Sequence, residues 1–529
     1  MAKFTVFCCI LAAQVLSGAT LYVVPPGTAG NTPTPPYNSP ATAANDLATA
    51  VGAAANGDTI LVRKGTYSFA CLDKLTTDKE LPVIRSYDPD NGDAVNAAET
   101  IFDGTGFAGT DAAIMVDSLT WMHKDNKFTI EGFTFTNFPC TVLHVNNTDY
   151  FGKVAGCVFA DNGGTVNGGA IRFYDCKNCV VTNCTFSGNV AIGANGGAIC
   201  HERSNVNLIT PISVIDCSFY GGDSAVANRG GAIYALTQIL VSHCTFRDLI
   251  VDHGTATSRG AAIYSTLNGV ISDSMFCGTL RARYGQAIEI TTLSTIVSNC
   301  TFTGISSSGD PTSASTAYGL VHCASGASFE ISCCSFTNNA SIANSIIFCE
   351  GVPSTSVYAL TKDRCVRNCL VAGNLGSVRL YGPHNSSDGY SIDFDNCTVL
   401  STAFPNTSDS PVINFRNSIL QTMGTAANAT VSFANCITTT EALATEGLAY
   451  VSDPGFRNAA GGDYALKRRS PCRDAGAVLD WMDASSVDIV GLPRVVTDGR
   501  SLASDPSALP DIGCYENGEL PLGLSVIVR

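Results

Sequence analysis

The chain has 529 residues, of which 45% are hydrophobic and 14% charged, with 50 glycines. That excludes a disordered chain, which needs high charge, and a collagen-like one, which needs Gly at every third place. Forty-five acidic residues against 30 basic ones give a formal charge of -15, which repels phosphate backbones and excludes nucleic acid as a partner.

Residues 1–19 read as a signal peptide: Lys3 supplies a positive start, Phe4 to Ala13 an apolar stretch, and Ser17-Gly18-Ala19 a small-residue cleavage site. The mature chain is then exported and begins near Thr20. No later window reaches the roughly 18 apolar residues that a spanning helix needs, so no transmembrane segment is expected. Residues 20–67 hold a strand over Leu21 to Val24, an Ala-rich amphipathic helix over Ala41 to Ala55, and a second strand within Gly57 to Val62.

Residues 68–439 are organised by a recurring phrase, as in Asn183-Cys184-Thr185-Phe186, His243-Cys244-Thr245-Phe246 and Asn299-Cys300-Thr301-Phe302. Its register extends over eleven copies, from Cys157 to Cys436, with Ser274 and Ser418 in place of Cys in two of them. Spacing between copies varies from 18 to 35 residues, so insertions fall in loops. Three residues before each Cys or Ser stands an apolar residue, from Val154 to Phe433, and two after it a Phe, Val or Leu in all but the last copy.

In a strand, residues two apart share a face and residues three apart do not. Val, Cys and Phe can all point inward only if the chain bends between Val and Cys. Asn, Asp or Ser fill that gap, and Asn best tolerates the left-handed conformation of a sharp bend. A second phrase lies upstream of the first: Gly168-Gly169-Ala170-Ile171, Gly196-Gly197-Ala198-Ile199, Gly230-Gly231-Ala232-Ile233, Gly260-Ala261-Ala262-Ile263 and, in weaker form, Gly285-Gln286-Ala287-Ile288. Three short strands per turn, with coils about 4.8 Å apart, predict an all-β fold: a right-handed parallel β-helix solenoid. The Cys column then lies mainly in the core, as small apolar groups. The segment 20–67 becomes its N-terminal helical cap and first coil, which covers an otherwise open strand edge.

After Cys436 the ladder stops and the composition shifts, which marks a small C-terminal module over residues 440–516 and a tail over 517–529. At these residues the chain resembles the pectin-lyase-like β-helix superfamily, from about Thr20 to Cys436. The GGAI phrases, with Phe159-Ala160-Asp161-Asn162, Phe186-Ser187-Gly188-Asn189 and Phe336-Thr337-Asn338-Asn339, resemble the GGAI and FxxN repeats of polymorphic outer-membrane proteins, which are adhesins. The C-terminal module is similar to the choice-of-anchor Q domain in Asp453-Pro454-Gly455-Phe456, Asp474-Ala475-Gly476, Pro493-Arg494 and Asp511-Ile512-Gly513-Cys514-Tyr515-Glu516. These resemblances imply a secreted or cell-surface protein, monomeric, that binds a polysaccharide or cell-surface glycan or serves as an adhesive scaffold. The alternative they imply is a polysaccharide lyase or glycoside hydrolase acting on acidic polysaccharide.

No catalytic residue is identifiable: neither a clustered-Asp site nor a calcium loop stands out. No cofactor is expected, although Ca2+ would join a lyase. A glycan groove would lie on the outward face of the GGAI strands. With Ile inward, the next position gives an outward column of Arg172, Cys200, Tyr234, Tyr264, Glu289 and His322, flanked by Tyr174, Glu202 and Arg203. Tyr rings stack on sugars and Arg forks to a uronate; the alternative is an ordinary solvated strand face. Cys176-Lys177-Asn178-Cys179 has metal or redox spacing but lacks a second ligand pair, so it reads as structural. Cys472 and Cys514 occupy variable places in the Q-like phrases and are the only cysteines after Cys436, which predicts a disulfide between them in an exported protein.

Overall fold

The computed structural model describes residues 18–516 apart from 69–74, 78–82, 118–128, 147–151, 205–209, 222–226, 252–257, 292–293, 307–318, 325–326, 341–344, 351–363, 375–376, 382–390, 404–411, 424–429, 484 and 495–508. The signal peptide up to Ser17 and the tail 517–529 lie outside the described residues.

The chain folds as a right-handed parallel β-helix. Each middle coil contributes one strand to each of three parallel ladders, and the last coils contribute to the first two only. The first, here the valine sheet, runs through fifteen strands from Thr20–Val23 to Thr430–Ala434. Its inward column places Val154, Val181, Val214 and Val241 directly above one another. The second, the phenylalanine sheet, stacks Phe159, Phe186, Phe219, Phe246, Phe276, Phe302 and Phe336 in register. From Phe159 to Phe336 the ring centroids are 4.6 to 5.1 Å apart and the planes lie within 9° of parallel. The third, the isoleucine sheet, aligns Ile171, Ile199, Ile233, Ile263 and Ile288.

The bend between valine and cysteine is left-handed in every coil with the phrase. Asn183 has φ +52°, Asp216 +54°, His243 +54°, Asp273 +50° and Asn299 +51°. One residue in that conformation turns the chain so that Val and Cys both face inward, and Asn and Asp adopt it at least cost among side-chain-bearing residues. The nine cysteines of the repeat column, from Cys157 to Cys436, are buried thiols, most donating to a carbonyl of the coil before, as Cys184 Sγ does to Val154 O at 3.7 Å. Cys176 and Cys179 are buried as well, with Cys176 Sγ donating to Val145 O at 3.2 Å.

In the GGAI phrase the two glycines serve different needs. Gly196 has φ +70°, whereas a Cβ on Gly197 would sit 2.2 Å from the carbonyl oxygen of Gly231 in the next coil. The FxxN asparagine braces another corner. Asn162 Nδ2 donates to Phe135 O at 3.0 Å and to Asn189 Oδ1 at 3.0 Å, and Asn189 Nδ2 donates to Phe159 O at 2.9 Å. Both side chains are buried, so the phrase is accounted for by coil-to-coil hydrogen bonding.

The N-terminal helix spans Leu47–Ala53, shorter than the Ala41 to Ala55 expected. Ala44 is held as an extended rung beside the first strand, accepting from Val24 N at 2.9 Å and donating to Tyr22 O at 2.9 Å. Asp46 then caps the helix by accepting from Thr49 N at 2.7 Å. At the other end the ladder does not stop at Cys436: Leu448–Tyr450 adds a further rung to the phenylalanine sheet.

The rest of the C-terminal module lies across the bends of the last coils. Asn368 Nδ2 donates to Val487 O at 2.9 Å, Asn396 Nδ2 to Asp511 O at 3.2 Å, and Asn417 Nδ2 to Ala477 O at 2.7 Å. Arg494 is buried at the junction, where Nε donates to Asn368 Oδ1 at 2.7 Å, Nη2 to Gly513 O at 2.9 Å and Nη1 to Glu516 Oε1 at 2.5 Å. Pro493-Arg494 and the segment from Asp511 to Glu516 thus meet in one polar network docked on the solenoid.

The Cys472 to Cys514 disulfide is not formed. Cys472 packs with Ile419, Ile437 and Phe456, whereas Cys514 packs in a separate cluster with Leu370 and Ala372, so the two thiols face different coils. Burial pushes both up to about 12, which suppresses the thiolate that oxidation requires.

Candidate functional site

The outward column of the isoleucine sheet has the expected register: Arg172, Cys200, Tyr234, Tyr264, Glu289 and His322 pair in succession. It is not an open face. Tyr234 is 5% exposed and Tyr264 6%, their rings stacked on each other at 5.2 Å, with Cys200 buried beside them. Their faces are therefore spent on one another instead of being free for a sugar ring. Burial pushes the Tyr234 phenol up to about 12.

Charged groups stand at both ends of this aromatic floor. At one end Arg172 Nε donates to Glu202 Oε2 at 3.0 Å, Asn167 Nδ2 to Glu202 Oε1 at 2.6 Å, and the Arg172 guanidinium lies 5.4 Å from the Tyr174 ring centre. Arg203 follows, half-buried. At the other end Glu289, fully buried, accepts from Arg259 Nη1 at 2.7 Å and lies 2.5 Å from His322 Nδ1. Tyr284 packs over this group, 4.3 Å from the Arg259 guanidinium and 5.3 Å from the His322 ring centre.

The residues that cover the column escaped the reading of the GGAI strands because they lie one step before them. Arg229, Arg259 and Tyr284 directly precede the first glycine of their phrases and stack as a ladder of their own. That fixed place in the repeat was the available signal. From it each arginine leans over the column residue of the next coil: Arg229 over Tyr264 at 5.4 Å, Arg259 onto Glu289. Arg283 adds a further guanidinium 5.5 Å from the Tyr284 ring centre. Arg229 and Arg283 meet no carboxylate among the described residues.

His201 lies on the inward side of the same sheet. Its Nε2 is 3.0 Å from Cys176 O and its Nδ1 2.5 Å from Thr237 Oγ1. Burial pushes it down to about 4, so it is a neutral core residue. Among the described residues no three His, Cys, Asp or Glu side chains converge to hold a metal ion, and no helix is long and apolar enough to cross a membrane.

No family model matches the chain, and no curated protein matches it. Among solved structures it is similar to pectate lyase Pel9A, at 15% identity over 95% of this chain and 97% of that one, with a TM-score of 0.34. A mannuronic-acid-specific polysaccharide family 6 lyase from human gut microbiota matches at 12% identity over 77% and 88% of the two chains, with a TM-score of 0.40. The family 6 alginate lyase AlyGC matches at 12% identity over 89% and 60%, also with a TM-score of 0.40.

Proposed function

We propose that this protein is exported, held at a cell surface, and binds an acidic polysaccharide along the outer face of the isoleucine sheet. The observation that carries the reading is electrostatic. In a chain of charge -15, this face gathers Arg172, Arg203, Arg229, Arg259 and Arg283 against Glu202 and Glu289. Arginine forks onto carboxylate or sulfate, and the Tyr264 and Tyr284 rings support three guanidinium groups, those of Arg229, Arg259 and Arg283. The tyrosines act as supports for the arginines, a different role from direct stacking on sugar. Coils about 4.8 Å apart repeat such cations at close to the length of one sugar residue, which suits a polymer lying along the solenoid axis.

Export rests on the signal-like Met1 to Ala19, and surface retention on the likeness of the C-terminal phrases to an anchoring domain. A second reading, cleavage of the bound polymer, is favoured by the group at Glu289. There a carboxylate orients the His322 imidazole beside Arg259 and Tyr284, and an oriented base next to a cation is what proton abstraction beside a uronate carboxylate requires.

Titration calorimetry with polygalacturonate, alginate and a sulfated glycan at two salt concentrations tests the binding. Arg229→Gln and Arg283→Gln break no ion pair among the described residues, and each should weaken binding about tenfold or more, as loss of one charge-assisted hydrogen bond implies. No binding to any of the three polymers would refute the proposal. Growth of ultraviolet absorbance from unsaturated ends would add cleavage to it.

A further inference from the structure

We propose that a second carbohydrate site, for a neutral sugar, lies where the C-terminal module meets the outer face of the last valine-sheet coils. The strand Ser391–Asp395 presents Asp393 and Asp395 outward on either side of inward Phe394. Arg416 of the next coil bonds both, Nη2 to Asp393 Oδ2 at 2.9 Å and Nε to Asp395 Oδ1 at 2.6 Å. Asn414 Nδ2 donates to Asp393 Oδ1 at 2.8 Å, and Ser432 Oγ donates to Asn414 Oδ1 at 2.7 Å. Three successive coils therefore hold a row of planar polar groups, each oriented by its neighbour.

One coil earlier, Arg367 lies 3.6 Å from Asp395 Oδ2 and 3.8 Å from Glu330 Oε2, too far for hydrogen bonds, and 5.0 Å from the ring centre of Trp481 in the C-terminal module. Among the described residues, Arg367 Nε and Trp481 Nε1 are both buried donors with no acceptor. A buried donor left unpaired is costly, because it has lost its water without gaining an acceptor. A molecule that accepts from these two N–H groups, donates to nearby Asp393 and Glu330, and lays C–H bonds on an indole is a sugar. Asp393 and Glu330 are about one-third exposed and Trp481 is half-buried at the module's edge, so the rim is reachable.

Charge selects the class of sugar. Glu330, Asp393 and Asp395 outnumber Arg367 and Arg416, so this site repels a uronate that the isoleucine-sheet face attracts. The site is independent of that face and of the reading built on it.

The chain has two tryptophans, so Trp121→Phe leaves Trp481 as the single indole emitter. In that background, titration with cello-, xylo-, manno- and maltohexaose should give a saturable emission change with at least one of them. Arg367→Lys, which keeps the charge but removes the Nε donor, and the isosteric Asp393→Asn should each weaken it at least fivefold. Arg229→Gln should leave it unchanged, whatever becomes of acidic-polysaccharide binding. The proposal is overturned if no neutral hexasaccharide changes the emission of a protein with a native circular-dichroism spectrum. A response confined to an oligouronate, or one that is equal in Arg367→Lys and Asp393→Asn, overturns it as well.

Discussion

The middle coils and the last coils use the same bend for different ends. Asn183 and Asn299 are left-handed and exposed, and their amides stay on the bends themselves, Asn183 donating to the adjacent Thr182 Oγ1 and Asn299 to Asp273 Oδ1 of the coil before. Asn368, Asn396 and Asn417 have the same conformation but are buried, and their amides hold the C-terminal module. The inward columns change at the same point, since the stacked phenylalanines end at Phe336 and Val371, Val399 and Leu420 follow. A residue chosen for backbone geometry in one region is a docking donor in the other, where ring stacking has passed from the phenylalanine sheet to Phe394, Phe415 and Phe433 of the valine sheet.

The sharpest separation of the two regions should come from the stack. Phe219 is 1% exposed between Phe186 at 4.8 Å and Phe246 at 4.9 Å. Phe219→Ala should cost about 3 to 5 kcal/mol, from lost transfer energy and the cavity left behind. Val399→Ala in the last coils should cost less, about 2 to 3 kcal/mol, because fewer buried methyl groups are removed. Equal losses in denaturant titrations would show that stacking adds nothing to burial.

Acid should reach the middle coils through His201. The unfolded chain takes up that proton near pH 6.5, whereas the folded protein takes it up only near pH 4. Stability from the neutral imidazole is therefore complete above about pH 6.5 and falls by about 3 kcal/mol as pH drops to about 4. His201→Gln should flatten that part of the pH dependence. An unchanged slope in the variant would assign it to other groups.

The bends give the next contrast. Asn417 Nδ2 donates to Ala477 O at 2.7 Å and its Oδ1 accepts from Ala477 N at 2.9 Å. Glycine keeps the left-handed backbone at no steric cost, so Asn417→Gly isolates the docking bonds and should cost about 1 to 3 kcal/mol. It should also expose residues 451–516 to protease first. Asn183→Gly should change stability by less than about 0.5 kcal/mol. If both variants behave alike, the asparagine amides do not hold the module.

The fold was legible because period and bend leave a mark in every coil. Val154 and Cys157 are three apart with a residue suited to positive φ between them, and only a bent strand puts both inside. The outward column was legible for the same reason, as an alternation counted from Ile171. Its environment was not, because burial of Tyr234 and Tyr264 depends on Arg229 and on neighbouring coils, which periodicity within one strand does not report. Asp393 and Asp395 were passed over because their partner Arg416 stands 21 or more residues away in the chain. The expected disulfide failed on the same ground: Cys472 and Cys514 share a module in sequence, but docking turns each toward a different coil.

The smallest expected effect tests whether the two uses of the bend meet in one residue. Cys333 holds the left-handed position with φ +53°, where the neighbouring coils have Asn299 and Asn368. Its thiol lies 3.8 Å from Asp488 O of the C-terminal module, a long and weak contact, and burial pushes it up to about 11. Cysteine gains nothing from this backbone region, whereas asparagine tolerates it through local hydrogen bonding. An asparagine amide here also has the donor that Asn368 uses on Val487 O one coil on. Cys333→Asn should therefore stabilise the protein by about 0.5 to 1 kcal/mol, through lower backbone strain and a stronger bond to Asp488. A melting temperature that falls in the variant would mean that the larger amide does not fit beneath the module, and that Cys333 marks where docking by the bends begins.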